Sequence, residues 1–198
     1  MTTIEARTRS ALAAAILGAA LLTGCETQMP AQKLPDLTFA HLPPLALAVQ
    51  RVEIDLRFAP TLRAPNVEHT FPVPPARALE RWASQRLKPV GGSAPARFVI
   101  LDASVTETKL PRDTSMRGYF TKQQSERYDA KVEAAIEIND VNRRAAANAI
   151  ASRWTTVPED ASLQERERIK FDLIEGLMKD FDAEIEKNVR QHLANWVR

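Results

Sequence analysis

From Ala11 to Leu22 the chain reads ALAAAILGAALL, twelve residues without a charge. Twelve residues of helix span about 18 Å, short of a hydrocarbon core of ~30 Å. Arg7 and Arg9 precede the run, with Glu5 partly offsetting them. A basic start before a short apolar run predicts a secretory signal peptide over residues 1–24. Beyond Cys25, the stretch Glu26 to Pro44 carries Pro30, Pro35, Pro43 and Pro44 and no sustained apolar period. Residues 25–44 therefore predict a tether, disordered or polyproline-like. Leu37, Phe39 and Leu42 leave a second possibility open, that part of this stretch lies along the surface of the domain.

The pattern becomes regular from residue 45. Leu45, Leu47 and Val49 alternate with small or polar residues, and Val52, Ile54, Leu56 and Phe58 alternate in the opposite phase. Period two predicts strand, and the slip at Gln50-Arg51 predicts a bulge or bend. Glu53, Asp55 and Arg57 then face water. After a Pro-containing connection from Ala59 to Pro74, Pro75 suits the first turn of a helix. Leu79, Trp82, Ala83 and Leu87 form its apolar stripe, while Arg77, Glu80, Arg81, Gln85 and Arg86 cover the remainder. Lys88-Pro89 and Gly91-Gly92 end that helix.

Phe98 to Leu101 is continuously apolar, and Ala103 and Val105 continue one face, as in a central strand. From Glu126 the alternation is cleanest. Tyr128, Ala130, Val132, Ala134, Ile136 and Ile138 share one face, and Asp129, Lys131, Glu133 and Glu137 the other. Asn139 to Asn142 is turn-rich and predicts a hairpin to an Ala-rich strand from about Arg144 to Thr156. Ser162-Leu163-Gln164-Glu165 fits a capping box. It opens a helix to about residue 196, with Ile174, Leu177, Met178, Phe181, Ile185, Val189, Leu193 and Trp196 on one stripe. The order β-α-β-β-β-α over residues 45–198 predicts an α+β two-layer sandwich. Its sheet is four-stranded, antiparallel or mixed, and its C-terminal helix is long.

Composition narrows the function more than the fold. The 198 residues hold 27 Lys+Arg and 25 Asp+Glu, a net charge of +2, with the signs interspersed. No clustered basic excess points to nucleic acid. His41, His69 and His192 are far apart, so no local motif suggests a metal, and no cofactor motif is present. There is no G-x-S-x-G, S-x-x-K, G-x-x-x-x-G-K-[ST] or G-x-G-x-x-G, and the single Cys excludes an internal disulfide. Glu53 with Asp55, and Asp180 with Asp182, are carboxylate pairs of the kind that solvated faces carry. These features give the expectation of a protein that is not an enzyme.

One segment stands out for binding. Pro111 to Ser125 joins two strands and exceeds a normal hairpin loop. It holds Met116, Tyr119 and Phe120 beside Arg112, Arg117 and Lys122. Apolar and aromatic tips among cations suit docking of a partner or a lipid headgroup layer. Alternatively, Tyr119 and Phe120 fold back to cap the end of the core. The Pro-rich stretch around Pro65 to Pro75, with Phe71, is a second candidate on the same terms.

Leu22-Thr23-Gly24-Cys25 resembles the bacterial lipobox. That resemblance implies cleavage by signal peptidase II before Cys25, with Leu22, Thr23 and Gly24 as the recognition residues. It further implies a diacylglycerol on the Cys25 sulfur and a third acyl chain on the new amino group. Glu26, where an Asp would retain a lipoprotein at the inner membrane, implies the outer membrane, with the inner membrane as the alternative. The lipobox followed by this element order resembles the auxiliary lipoproteins of ABC-type lipid transport systems, the PqiC-like family. In that family a helix with Arg-Trp-Ala precedes the central strand, and Arg81-Trp82-Ala83 stands in that place here. The family's Pro-Gln motif after the first strand is absent, Ala64-Pro65-Asn66 being the nearest. The resemblance implies an accessory subunit of an envelope protein complex, held at the membrane by a lipid anchor and facing the periplasm. It would serve lipid transport or outer-membrane assembly. A lipid or small-ligand binding module, with an apolar pocket at the seam between helices and sheet, is the alternative.

Overall fold

The computed structural model describes residues 34–111, 115, 122–141 and 143–198. Elements follow the alternation closely. They are β1 (Leu45–Leu47), β2 (Val52–Leu56), a 3-10 turn (Glu68–Thr70), α1 (Pro75–Arg86), β3 (Leu87–Pro89), β4 (Ala96–Lys109), β5 (Gln124–Asn139), β6 (Arg144–Pro158) and α2 (Leu163–His192). The main sheet has the order β2-β4-β5-β6, with β2 parallel to β4 and the other pairs antiparallel. It is the expected mixed four-stranded sheet with a long C-terminal helix.

Both helices lie on the sheet face that carries Phe98, Ile100, Val105, Val132, Ile136 and Ile138, all buried. Their stripes meet it through an aromatic cluster. Trp82 stands 5.2 Å from Phe181 and 5.4 Å from Phe98 between ring centroids. Such fully buried rings each contribute about 3–5 kcal/mol when judged by truncation to Ala. The long helix starts as expected: Glu165 N–H donates to Ser162 Oγ (3.2 Å) and Ser162 N–H to Glu165 Oε2 (2.8 Å). It ends at His192 rather than 196; Leu193 and Trp196 pack against the core from the turn that follows.

The first expected strand is in fact two strands in different sheets. Val49 N–H turns back to Leu47 C=O (2.8 Å), which redirects the chain between them. β1 pairs parallel with β3, and Leu47 forms a bridge with Val197 on its other side. β3 was not expected, because Leu87-Lys88-Pro89 is too short for a period and reads as a helix end. On β2, Ile54 and Leu56 share the core-side face with their partners Phe98 and Ile100, yet remain 43% and 48% exposed. Alternation gives the face of an edge strand but not whether a helix reaches far enough to cover it.

Of the two possibilities for the stretch before the domain, Leu37 and Phe39 take the docked one. Both are buried in the core cluster, and Leu34 and Leu42 pack against it. The docking is specific: Arg81 Nη1 donates to Leu37 C=O (2.7 Å) and Phe39 N–H to Gln85 Oε1 (2.6 Å).

Two glycines should respond oppositely to the same change. A Cβ on Gly92 would lie 2.8 Å from the Ala48 carbonyl carbon and 3.0 Å from Val49 Cα, both backbone. Gly92→Ala should cost about 1–3 kcal/mol, since backbone must move. A Cβ on Gly176 would meet only the Arg153 guanidinium, at 2.6 Å from Nη1, and that side chain can swing away. Gly176→Ala should be neutral or stabilising by up to ~1 kcal/mol through helix propensity. Urea titrations of both variants compare them directly.

Candidate functional site

Of the residues singled out for docking, Met116, Arg117, Tyr119 and Phe120 lie outside the described residues, as do Leu22, Thr23, Gly24 and Cys25. Lys122 is described. It is exposed and holds Asp160 at 2.8 Å. The hydrogen bond and charge of Asp160 raise its pKa, and Lys122 in turn lowers that of Asp160. The base of the loop is tied by Leu110 N–H to Ser125 C=O (2.9 Å) and Glu159 N–H to Gln123 C=O (3.0 Å).

Beneath that base lies a partly buried polar network. Tyr128 Oη donates to Glu126 Oε2 (2.7 Å), and Arg166 Nη1 donates to Glu126 Oε1 (2.6 Å). Burial alone would raise the Glu126 pKa. The hydrogen bonds from Tyr128 and Arg166, with the charges of Arg166 and Lys170, overturn that and lower it. Burial, then Glu126, pushes the Tyr128 phenol well above its ordinary value of 10.0. Phe71, the aromatic of the Pro-rich stretch, packs edge-on against Tyr128 at 5.4 Å and is buried. That candidate is therefore core, not surface.

A second polar cluster was not expected. Arg86, placed on the solvent side by its position off the Leu79–Trp82–Ala83 stripe, is 1% exposed. Its Nε donates to Asp182 Oδ1 (2.8 Å) and its Nη2 to Glu186 Oε2 (2.7 Å). Trp82 Nε1 also donates to Asp182 Oδ1, at 2.7 Å. The second helix packs over the end of α1, which encloses a side chain that a lone helix would leave in water. Asp180, the other member of its carboxylate pair, stays exposed on Arg153. Glu53 and Asp55 pair with Arg51 and Arg57 on the outer face.

Glu186 and Glu126 together set an acid limit. Hydrogen bonding from Arg190, opposed by burial and aided by Arg86, lowers the Glu186 pKa. A carboxylate whose folded pKa lies below its unfolded value stabilises the fold above the unfolded value. Both groups therefore stabilise fully above their ordinary 4.5 and lose that contribution as pH falls through their folded values. Urea midpoints should fall below pH 4.5, and Glu126→Gln should flatten part of that fall.

Two of the hollows that open to solvent lie beside residues already described. One, of about 700 Å³, runs along α2 beside the docked N-terminal segment, lined by apolar Leu37, Phe39, Leu42 and Met178 and by charged Arg153, Lys179 and Asp182 among others. The other, of about 260 Å³, lies on the outer sheet face between Ser104, Thr106, Asp129, Ser152 and Trp154. There the Arg127 guanidinium sits 4.5 Å above the Trp154 ring. The seam between helices and sheet is filled by Trp82, Phe98 and Phe181, whereas the groove on the outside of α2 is of a size that holds small ligands. Among the described residues, no group of His, Cys, Asp and Glu is arranged to hold a metal ion, and no helix is long and apolar enough to cross a membrane.

No family model matches the chain, and no curated protein matches it. Among solved structures it is similar to the crystal structure of the rare lipoprotein B from Shewanella oneidensis, at 10% identity and a TM-score of 0.35. That match covers 69% of this chain and 92% of the other. A likeness of this size carries no argument about function.

Proposed function

We propose that the chain is a non-enzymatic, lipid-anchored accessory subunit of an envelope complex, attached through Cys25 and facing the periplasm at the outer membrane. The observation that carries this is the sequence ALAAAILGAALLTGC, a span too short to cross a bilayer that ends on the only Cys of the protein. Thioether formation needs that thiol, and two or more acyl chains anchor stably where one gives marginal binding. The docking of Leu37 and Phe39 bears on the leash. Eleven residues, Glu26 to Asp36, separate Cys25 from Leu37, the first core residue among those described, and eleven residues reach no more than about 40 Å when extended. A role in lipid transport, as in the PqiC-like family, is the finer form of this proposal, supported by the lipobox and Arg81-Trp82-Ala83.

The groove of about 700 Å³ favours a second reading, in which the domain itself holds a lipid or small ligand. One experiment addresses both. Native and denaturing mass spectra of the protein from its own membranes should give a mature chain starting at an acylated Cys25. A chain starting elsewhere, or bearing no hydrocarbon, overturns the anchor. A non-covalent lipid lost on denaturation would establish the second reading, and an empty native mass would remove it.

A further inference from the structure

β4, β5 and β6 present the outer face of the main sheet in cross-strand rows. Thr106, Asp129 and Trp154 form one row, and Ser104, Lys131 and Ser152 the next. Val105, Ala130 and Ala151 between them are buried toward the helices, so alternation puts these six side chains on the outer face. The hollow of about 260 Å³ spans both rows. Three strands about 4.8 Å apart and alternate residues about 7 Å apart give it a floor of roughly 10 by 7 Å.

Trp154 forms one wall. It is 58% exposed, whereas Trp82 and Trp196, the other two tryptophans, are buried. Arg127 belongs to the row beyond, opposite Thr156. Its guanidinium covers one face of the Trp154 ring at 4.5 Å from the centroid, and it does not line the hollow. The hollow therefore meets the ring on its other side, toward Ser152 and Lys131.

The charges around the hollow are already paired within the chain. Asp129 accepts from Arg127 at 2.6, 2.9 and 3.1 Å. Lys131 lies 3.0 Å from Asp102 and 3.2 Å from Glu133, and Arg153 holds Asp180 at 2.9 Å. What remains uncommitted carries no charge. It is the second face of the Trp154 ring and the hydroxyls of Ser104, Thr106 and Ser152, which make no hydrogen bond among the described residues. An ion would have to displace one of the existing pairs. An acyl chain would take water from the hydroxyls and return nothing to them. A flat aromatic ring would stack but leave the same hydroxyls unanswered. A pyranose ring meets both demands: its C–H face lies against the indole, and its hydroxyls pair with Ser and Thr, which each donate and accept. We propose that this hollow binds one pyranose unit of a neutral saccharide, stacked on Trp154 and hydrogen-bonded by Ser104, Thr106 and Ser152. The site depends neither on the anchor at Cys25 nor on the groove along α2.

The test uses the full chain in a detergent without a sugar headgroup. The neutral probes are cellotriose and chitotriose, and the chitosan trimer, at mildly acidic pH where its amines are charged, is the cationic counterpart of chitotriose. Since Trp154 is the exposed tryptophan, acrylamide quenching of fluorescence reports the site directly. A neutral trimer should protect Trp154 from acrylamide and bind at millimolar concentration or below, and the chitosan trimer should bind no tighter than chitotriose. Trp154→Ala should weaken binding, measured by calorimetry, about tenfold or more, and Trp154→Phe, which keeps a ring face, by less. Ser104→Ala with Thr106→Val should weaken it about fivefold or more and leave the urea midpoint near that of the parent. If Trp154→Ala unfolds the protein, the hydroxyl variants still decide. No binding of either neutral trimer at millimolar sugar, unchanged binding in Trp154→Ala or in the hydroxyl variant, or tighter binding of the chitosan trimer overturns the proposal. A Trp154 that is shielded before sugar is added and becomes accessible on dilution also overturns it, in favour of a second copy of the chain on this face.

Discussion

Arg86→Ala should lower the unfolding free energy by about 3–5 kcal/mol, the range for breaking a buried ion pair from one side. In a domain of this size that corresponds to a fall in Tm on the order of 10 °C. The guanidinium is 1% exposed and joins α1 to α2 through Asp182 and Glu186. Removing it leaves a cavity and takes from Asp182 its only cation among the described residues, leaving it the Trp82 indole N–H. Glu186 retains Arg190 at 2.7 Å, so the loss falls mainly on Asp182. Arg86→Met separates the two contributions. It restores volume but not charge, so a cost near that of Ala assigns the effect to the stranded carboxylate, and a much smaller cost assigns it to packing. The native cluster is itself incompletely satisfied, because Arg86 Nη1 has no partner among the described residues. Replacing Arg86 and Asp182 together by apolar residues should therefore cost less than Arg86→Ala alone. A loss under ~1 kcal/mol for Arg86→Ala would show that the link between the helices does not depend on this side chain.

The contrast between Arg86 and Tyr128 shows what the sequence could disclose. Tyr128 was placed on the buried face of β5 because the alternation runs unbroken for eleven residues, and a strand with one buried face has one permissible phase. Arg86 falls on the solvent side by its spacing and is nevertheless buried, since its burial depends on a partner ninety-six residues further along the chain. The capping box, the hairpin turn and the order of the larger elements are local and were legible. The split between β1 and β2 was not, because pairing with Leu87–Pro89 and Val197 joins distant positions through strands too short to show a period. The candidate site divides in the same way. Phe71 belongs to the core through a contact with Tyr128 that no spacing reveals, whereas Lys122 lies on the surface, paired with Asp160. The edge of β6 was legible only as an Ala-rich strand. Its place at the end of the sheet depended on strand order, which period two does not determine.

Cys25→Ser should abolish labelling of the protein by radioactive palmitate and stop maturation before residue 25. A hydroxyl is too weak a nucleophile at neutral pH to take the place of the thiolate in forming the thioether. The uncleaved apolar run could not substitute as an anchor, because about 18 Å of helix does not bridge ~30 Å of hydrocarbon. Membrane binding should accordingly become extractable by alkali or salt, where the acylated form needs detergent. The domain itself should be indifferent, since position 25 precedes by twelve residues Leu37, the first core residue among those described. Thermal unfolding of the variant should match that of the parent, which separates loss of the anchor from loss of the fold. Unchanged palmitate labelling, or a serine variant that still requires detergent for release, would place the attachment elsewhere. In that case the chain before Leu37 would have no membrane end, and the docked segment at Leu37 and Phe39 would have to be understood as part of the domain alone.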